Sequence, residues 1–231
     1  MGFSRRLKLY LVPLLVVGFC AAGAAQSSPK SSSAKPSSLG SHAQKSAGDD
    51  SGMDAGSVVN GVYSNKELGL TYKIPAGWVL RTDEMNARDE AERKNSESSP
   101  QGTQRGTGES RVLLAAFSRP PEATGEDVNA SVVIAAESVE AYPGLKEAAQ
   151  YFGPLTEVAT AQGFTVDEEP YEAEVGGKKL VQGDFHKDVG TRVMRQSTLA
   201  WLARGYAVSI TVIGGSEDEV EGLIEGVMFT K

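Results

Sequence analysis

Residues 61–80, GVYSNKELGLTYKIPAGWVL, decide how this chain of 231 residues is read. Val62 and Tyr63 open an extended piece, and Asn65, Lys66 and Glu67 bring polar turn chemistry. Leu70, Tyr72 and Ile74 then alternate with Thr71 and Lys73, the period of two of a strand buried on one face. Pro75 lacks a backbone donor and Gly77 reaches angles closed to other residues, so 75–77 stops that strand. Trp78 follows at once, where a large ring closes the end of a core. The stretch predicts an aromatic-capped hairpin that opens one folded domain.

The spacing of Tyr63, Gly69, Leu70, Tyr72, Ile74, Pro75, Gly77 and Trp78 resembles the opening hairpin of PsbP-like domains. That family includes the extrinsic photosystem II protein, bacterial envelope relatives and a nuclear-import regulator of the same fold. The resemblance implies an α+β domain over 58–231, with an antiparallel sheet covered by helices in an α/β/α sandwich. The motif is structural. No metal-binding or partner-binding residue of the family is matched here, and none is carried over.

Upstream, 1–25 reads as a cleaved secretion signal: Arg5, Arg6 and Lys8, an apolar run from Leu9, then small residues at 21–25. Gly23-Ala24-Ala25 before Gln26 suits signal peptidase, as does Ala22-Gly23-Ala24 before Ala25. Phe19 stands where a lipoprotein motif wants a small residue before Cys20, and the core is too hydrophobic for twin-arginine export. The run is barely long enough for an uncleaved anchor. A soluble exported protein, periplasmic or extracellular, is therefore expected, with membrane contact only through a lipidated Cys20 or an uncleaved signal. Cleavage removes the single cysteine, and with it any disulfide, thiolate nucleophile or Cys-ligated metal. It also removes three of the 23 basic residues, leaving 20 against 30 acidic ones and a net charge of −10. Such a surface repels phosphate backbones, which excludes nucleic acid as a natural partner.

Residues 26–57, rich in Ser, Ala, Gly and Lys, bury too little to offset their ordering entropy and read as a disordered tether. His42 within it reads as solvated. After the hairpin, 82–94 predicts a charged helix lying loosely on the surface, with Thr82 or Asp83 as its cap. A loop over 95–110 follows. Its Gly102, Gly106 and Gly108 lack the Lys-Ser/Thr pair and the succeeding helix that a phosphate cradle needs. Apolar runs at 111–118 and 130–136 predict central strands. A helix laid on the sheet is predicted over 145–162, kinked or broken at Pro154 and ended by Gly163. Turns at Gly176-Gly177, Gly190 and Arg204-Gly205 divide the rest into a strand meander. Ser216 and Glu219 then cap a last helix whose stripe is Val220, Leu223, Ile224 and Val227.

For chemistry, Asp184, His186 and Asp188 fall at alternate positions of one strand and share a face, opposite Val181, Phe185 and Val189. An imidazole between two carboxylates is a candidate divalent-metal site, although three neighbours on one strand converge poorly on an ion. A solvated strand face is the plainer account. His186 is the one histidine of the folded region, and no His-Glu-x-x-His helix or Gly-x-Ser-x-Gly elbow is present. Adjacent acids such as Glu168-Glu169 and Glu217-Asp218 read as surface charge. No cofactor is implied. The expectation is a non-catalytic binding or assembly module of the bacterial cell envelope, contacting an envelope protein or small ligand through the sheet face or rim left bare by helices. The alternative is a metal-binding protein, or a metal-dependent or carboxylate enzyme, centred on Asp184, His186 and Asp188.

Overall fold

A computed structural model describes residues 53–97, 109–125 and 127–230. The leader at 1–25, Cys20, the spacer through residue 52 and the three glycines of the 95–110 loop lie outside those residues. No helix among the described residues is long and apolar enough to cross a membrane.

The opening hairpin forms, with one more strand than its pattern suggests. β1 (Ser57–Val59) and β2 (Val62–Asn65) reverse direction through Asn60 and Gly61, whose φ values are 50° and 75°. That pair of positive φ angles is the two-residue turn that matches strand twist. The sequence places the domain boundary at 58, but Met53 is already buried in the core and Asn65 Nδ2 donates to the Asp54 carbonyl. β1 escapes notice because all three of its residues are exposed and show no alternation. Asn65 Oδ1 accepts from Leu68 N–H to make the predicted turn, and β3 (Leu70–Lys73) returns beside β2.

The far end of the chain closes this small sheet. α3 (Glu217–Ile224) is capped as its spacing predicts, Ser216 Oγ accepting from Glu219 N–H. The predicted stripe runs on to Val227, yet Val227 belongs to β12 (Val227–Phe229), which pairs with β3. Gly226 interrupts the helix, and Val, Met and Phe then suit a strand whose partner lies more than a hundred residues upstream.

The main sheet has eight strands, every pair antiparallel. They are β4 (Val79–Leu80), β5 (Ser110–Phe117), β6 (Ser131–Ser138), β7 (Thr165–Val166), β8 (Tyr171–Val175), β9 (Lys178–Val189), β10 (Arg192–Ala203) and β11 (Tyr206–Gly214). Their order is β4-β5-β6-β11-β10-β9-β7, with β8 also on β9. The meander and its turns fall where the glycines place them.

Two faces of this sheet are covered differently. On the inner face, Leu114, Ile134, Leu199, Trp201 and Ile210 join Tyr63, Leu70 and Tyr72 of the small sheet and Val220 and Leu223 of α3 in the main core. On the outer face lie α1 (Thr82–Glu97) and α2 (Ala148–Ala161). The chain is thus an α+β domain, in which the four-stranded sheet shares one covering layer with α3. α2 passes through Pro154 without breaking. Proline removes one backbone bond there, while Tyr151, Phe152 and Ala159, all buried, hold both halves of the helix to the sheet.

Candidate functional site

The two outer helices are pinned at opposite sides of the sheet. α1 does not lie loosely. Thr82 Oγ1 accepts from Ala115 N–H at 3.0 Å, so it serves the neighbouring strand. Asn86 makes a pair with the backbone of Val112, its amide donating to the carbonyl and its oxygen accepting from the N–H, each at 2.9 Å. The β5–β6 register shifts between Val112 and Leu114, so the Asn86 amide replaces ladder bonds lost at a bulge. α2 is held over β9 and β10. A Cβ at Gly183 would stand 2.5 Å from Phe152 Cε1, so glycine makes the ring's approach possible. Lys187 Nζ donates to the Gln162 carbonyl at 2.6 Å, a cation on the negative end of the helix.

Between the helices, β6 and β11 expose their outer face as the floor of a groove. Val133, Ala135 and Glu137 come from β6, Ser209 and Thr211 from β11, and Gln196 and Thr198 from β10. Leu155, Val158 and Ala159 of α2 form one wall, and Ser110 and Val112 of β5 the other. The cavity is about 50 Å³, room for a few water-sized groups and far below the roughly 300 Å³ of a drug-sized site. Its floor is polar. Gln196 Nε2 donates to Thr198 Oγ1 at 3.3 Å, and Thr198 and Thr211 share a hydroxyl bond at 3.2 Å. Ser209 also lines the cavity and is 6% exposed, whereas the fully enclosed unpaired side-chain atoms among the described residues are elsewhere: Tyr72 Oη, Arg119 Nε, Ser197 Oγ and Trp201 Nε1. Because Ser209 lines the cavity, its hydroxyl offers a donor and an acceptor to whatever enters.

Glu137 closes one end. It is partly buried and accepts from the Tyr142 hydroxyl. The Tyr142 and Tyr151 rings meet edge to face at 5.3 Å, which brings the Tyr151 hydroxyl to the same carboxylate. Burial raises the Glu137 carboxyl above its ordinary range, against the two tyrosine hydroxyls that favour its charged form. The neighbouring charge that acts on it is another acid, Asp89. Asp89 comes one turn after Asn86 on the same face of α1, which puts it near Ser110, the β5 partner of Glu137. Burial also raises Asp89, while Arg93 and Arg88 on its own helix pull the other way. No basic side chain among the described residues forms an ion pair with Glu137.

The strand face singled out from sequence lies elsewhere. Val181 and Phe185 pack under α2, as the core-face reading requires, whereas Val189 is 46% exposed. Asp184 accepts from Tyr171 Oη at 2.7 Å and from Gln182 Nε2. His186 Nδ1 pairs with Asp167, which the loop after β7 supplies. Asp188 is exposed near the end of β9. The three residues lie along one strand, where Asp184 and His186 have separate partners. Among the described residues no cluster of three or more His, Cys, Asp or Glu is disposed to hold a metal ion.

Glu137 is not legible from the apolar run at 130–136, which stops one residue short of it. A signal was present. Val133, Ala135 and Glu137 share one face by alternation, so a carboxylate continues a buried row. Ser209, Thr211 and Thr198 give the same sign, small hydroxyls alternating with Val208, Ile210 and Val212 or lying beside Leu199.

No family model matches the chain. No curated protein matches it either. Solved structures similar to it include cyanobacterial PsbP from Synechocystis, 15% identical, TM-score 0.41, with 78% of this chain and 99% of that one covered. LpqN of Mycobacterium tuberculosis, a protein involved in cell envelope biogenesis, is 11% identical at a TM-score of 0.34, covering 70% and 83%. A Ran-binding protein of Saccharomyces cerevisiae is 12% identical at a TM-score of 0.34, covering 67% and 76%. The family that the hairpin residues resemble is therefore among these structures. At such scores none of them lends this chain a residue role.

Proposed function

We propose that this chain is an exported, non-catalytic binding module of the bacterial cell envelope, whose partner or small ligand enters the groove between α1 and α2. The observation that carries this reading is a cavity on the outer face lined by polar side chains, Glu137, Gln196, Thr198 and Ser209, within apolar walls. Packing alone does not call for Glu137, Gln196, Thr198 and Ser209 around one cavity. The hydroxyls and amides of the floor lack the base and nucleophile pairing that covalent catalysis uses, and His186 lies on β9, away from the groove-lining residues. Export rests on the charged, apolar and small-residue segments of 1–25. The spacer at 26–52 then gives the domain reach from a membrane or wall.

The test is photo-crosslinking in intact cells from an unnatural side chain at Leu155, in the groove wall, against one at Met228 on the far sheet. One dominant product from position 155, weak or absent from 228, is the expected result. Equal yields from both positions, or none from 155, would remove the groove from the account.

A further inference from the structure

We propose that the groove receives a primary ammonium on a short aliphatic stem, the chemistry shared by a lysine side chain and a free alkylamine. The proposal rests on the groove being the binding site and adds what is bound there. Charge comes first. Glu137 faces the cavity from β6, and Asp89 stands near it on α1. Arg88 and Arg93, the bases beside them, act on Asp89 from its own helix and form no ion pair with Glu137. Among the described residues the charge around the groove therefore favours a cationic guest over an anionic one. An anion would be repelled, whereas a cation favours the charged carboxylate against the burial that raises it.

Hydrogen bonding selects the kind of cation. An ammonium has three donors and no acceptor. Glu137 and the Ser209 hydroxyl, both lining the cavity, offer acceptors to it. Tyr142 and Tyr151 already serve Glu137, and its two oxygens, with about four acceptor sites, leave capacity for the ligand. Size and wall chemistry select the stem. A volume of about 50 Å³ takes an ammonium and two or three methylenes and little else. Val133, Leu155 and Val158 supply apolar walls for those methylenes.

The experiment is an amide chemical-shift titration of the purified domain with n-butylammonium, with n-butanol as the neutral probe of the same shape. Butylammonium should shift Ser209, Thr211 and Glu137 and bind at least about tenfold more tightly than butanol, the worth of one charged hydrogen bond. Glu137→Gln should remove that preference. A capped tripeptide with a central lysine, run in parallel, separates the sources. Tighter peptide binding points to a protein partner, and tighter butylammonium binding to a free amine. Equal affinity for butanol, or an unchanged preference in Glu137→Gln, would overturn the ammonium proposal and leave the groove standing. No shift at groove residues with any probe, together with no crosslink from position 155, would overturn both. The butanol comparison uses the natural chain, so it decides even where the variant folds poorly.

Discussion

The two faces of the eight-stranded sheet are built from the same strands and differ in what they are for. The inner row on β11 is Val208, Ile210 and Val212, each fully buried against the small sheet and α3. The outer row is Ala207, Ser209, Thr211 and Ile213, and its middle pair faces a cavity. One residue of offset separates a face packed against the small sheet and α3 from a face whose polar side chains line a cavity. The lesson is that burial alone does not mark the core. Ser209 and Ile210 are both almost inaccessible, yet only one has neighbours that fill its surroundings.

Substitutions on each face separate these roles. The largest effect belongs to the inner face. Ile210→Ala should cost about 2–5 kcal/mol by leaving a cavity in the main core, seen as a lower midpoint in thermal or urea unfolding. Gly183→Ala comes next. Its new methyl meets the Phe152 ring at 2.5 Å, so lifting α2 should cost about 1–3 kcal/mol and widen the groove. A loss as small as that of a surface change would mean that α2 is not seated there. Thr211→Val is the mildest, within about 1 kcal/mol, since it removes one shared hydroxyl bond on a floor that has room to adjust.

Glu137 makes the comparison depend on pH. Its folded-state carboxyl is raised, chiefly by burial. A raised acid favours folding while it is protonated in both states, and that contribution is lost as pH climbs through the folded value. The natural protein and Glu137→Gln should therefore melt closest together below about pH 4, near the ordinary glutamate value. The variant should gain relative stability as the pH rises from there. Melting curves at several pH values check this, and a gap that shrinks with rising pH would show that Glu137 has a cationic partner in the folded protein.

How much of this was readable beforehand follows from the range of the interactions. The hairpin, the meander turns and the α3 cap are local, set by Asn65, Gly176-Gly177 and Ser216, and all were legible. β12 was not, because its pairing with β3 depends on contacts far apart in sequence. α1 reads as surface helix by composition, since its inward contacts are made by Asn86 and Thr82, polar side chains serving a bulge that the sequence does not announce. The site followed the same rule. Asp184, His186 and Asp188 are close on one strand and were easily found, while Glu137, Ser209 and Asp89 lie on three elements that only the folded sheet brings together.

The most direct test of the account is Ala135→Leu, which places a larger side chain in the groove while leaving the inner face untouched. Thermal unfolding and crosslinking from position 155 would be measured on the same preparation. The account predicts a melting temperature within about 3 °C of the natural protein, under about 1 kcal/mol, and loss of the crosslinked product. A stable variant that still captures its partner at full yield would contradict the claim that the outer face is the binding face.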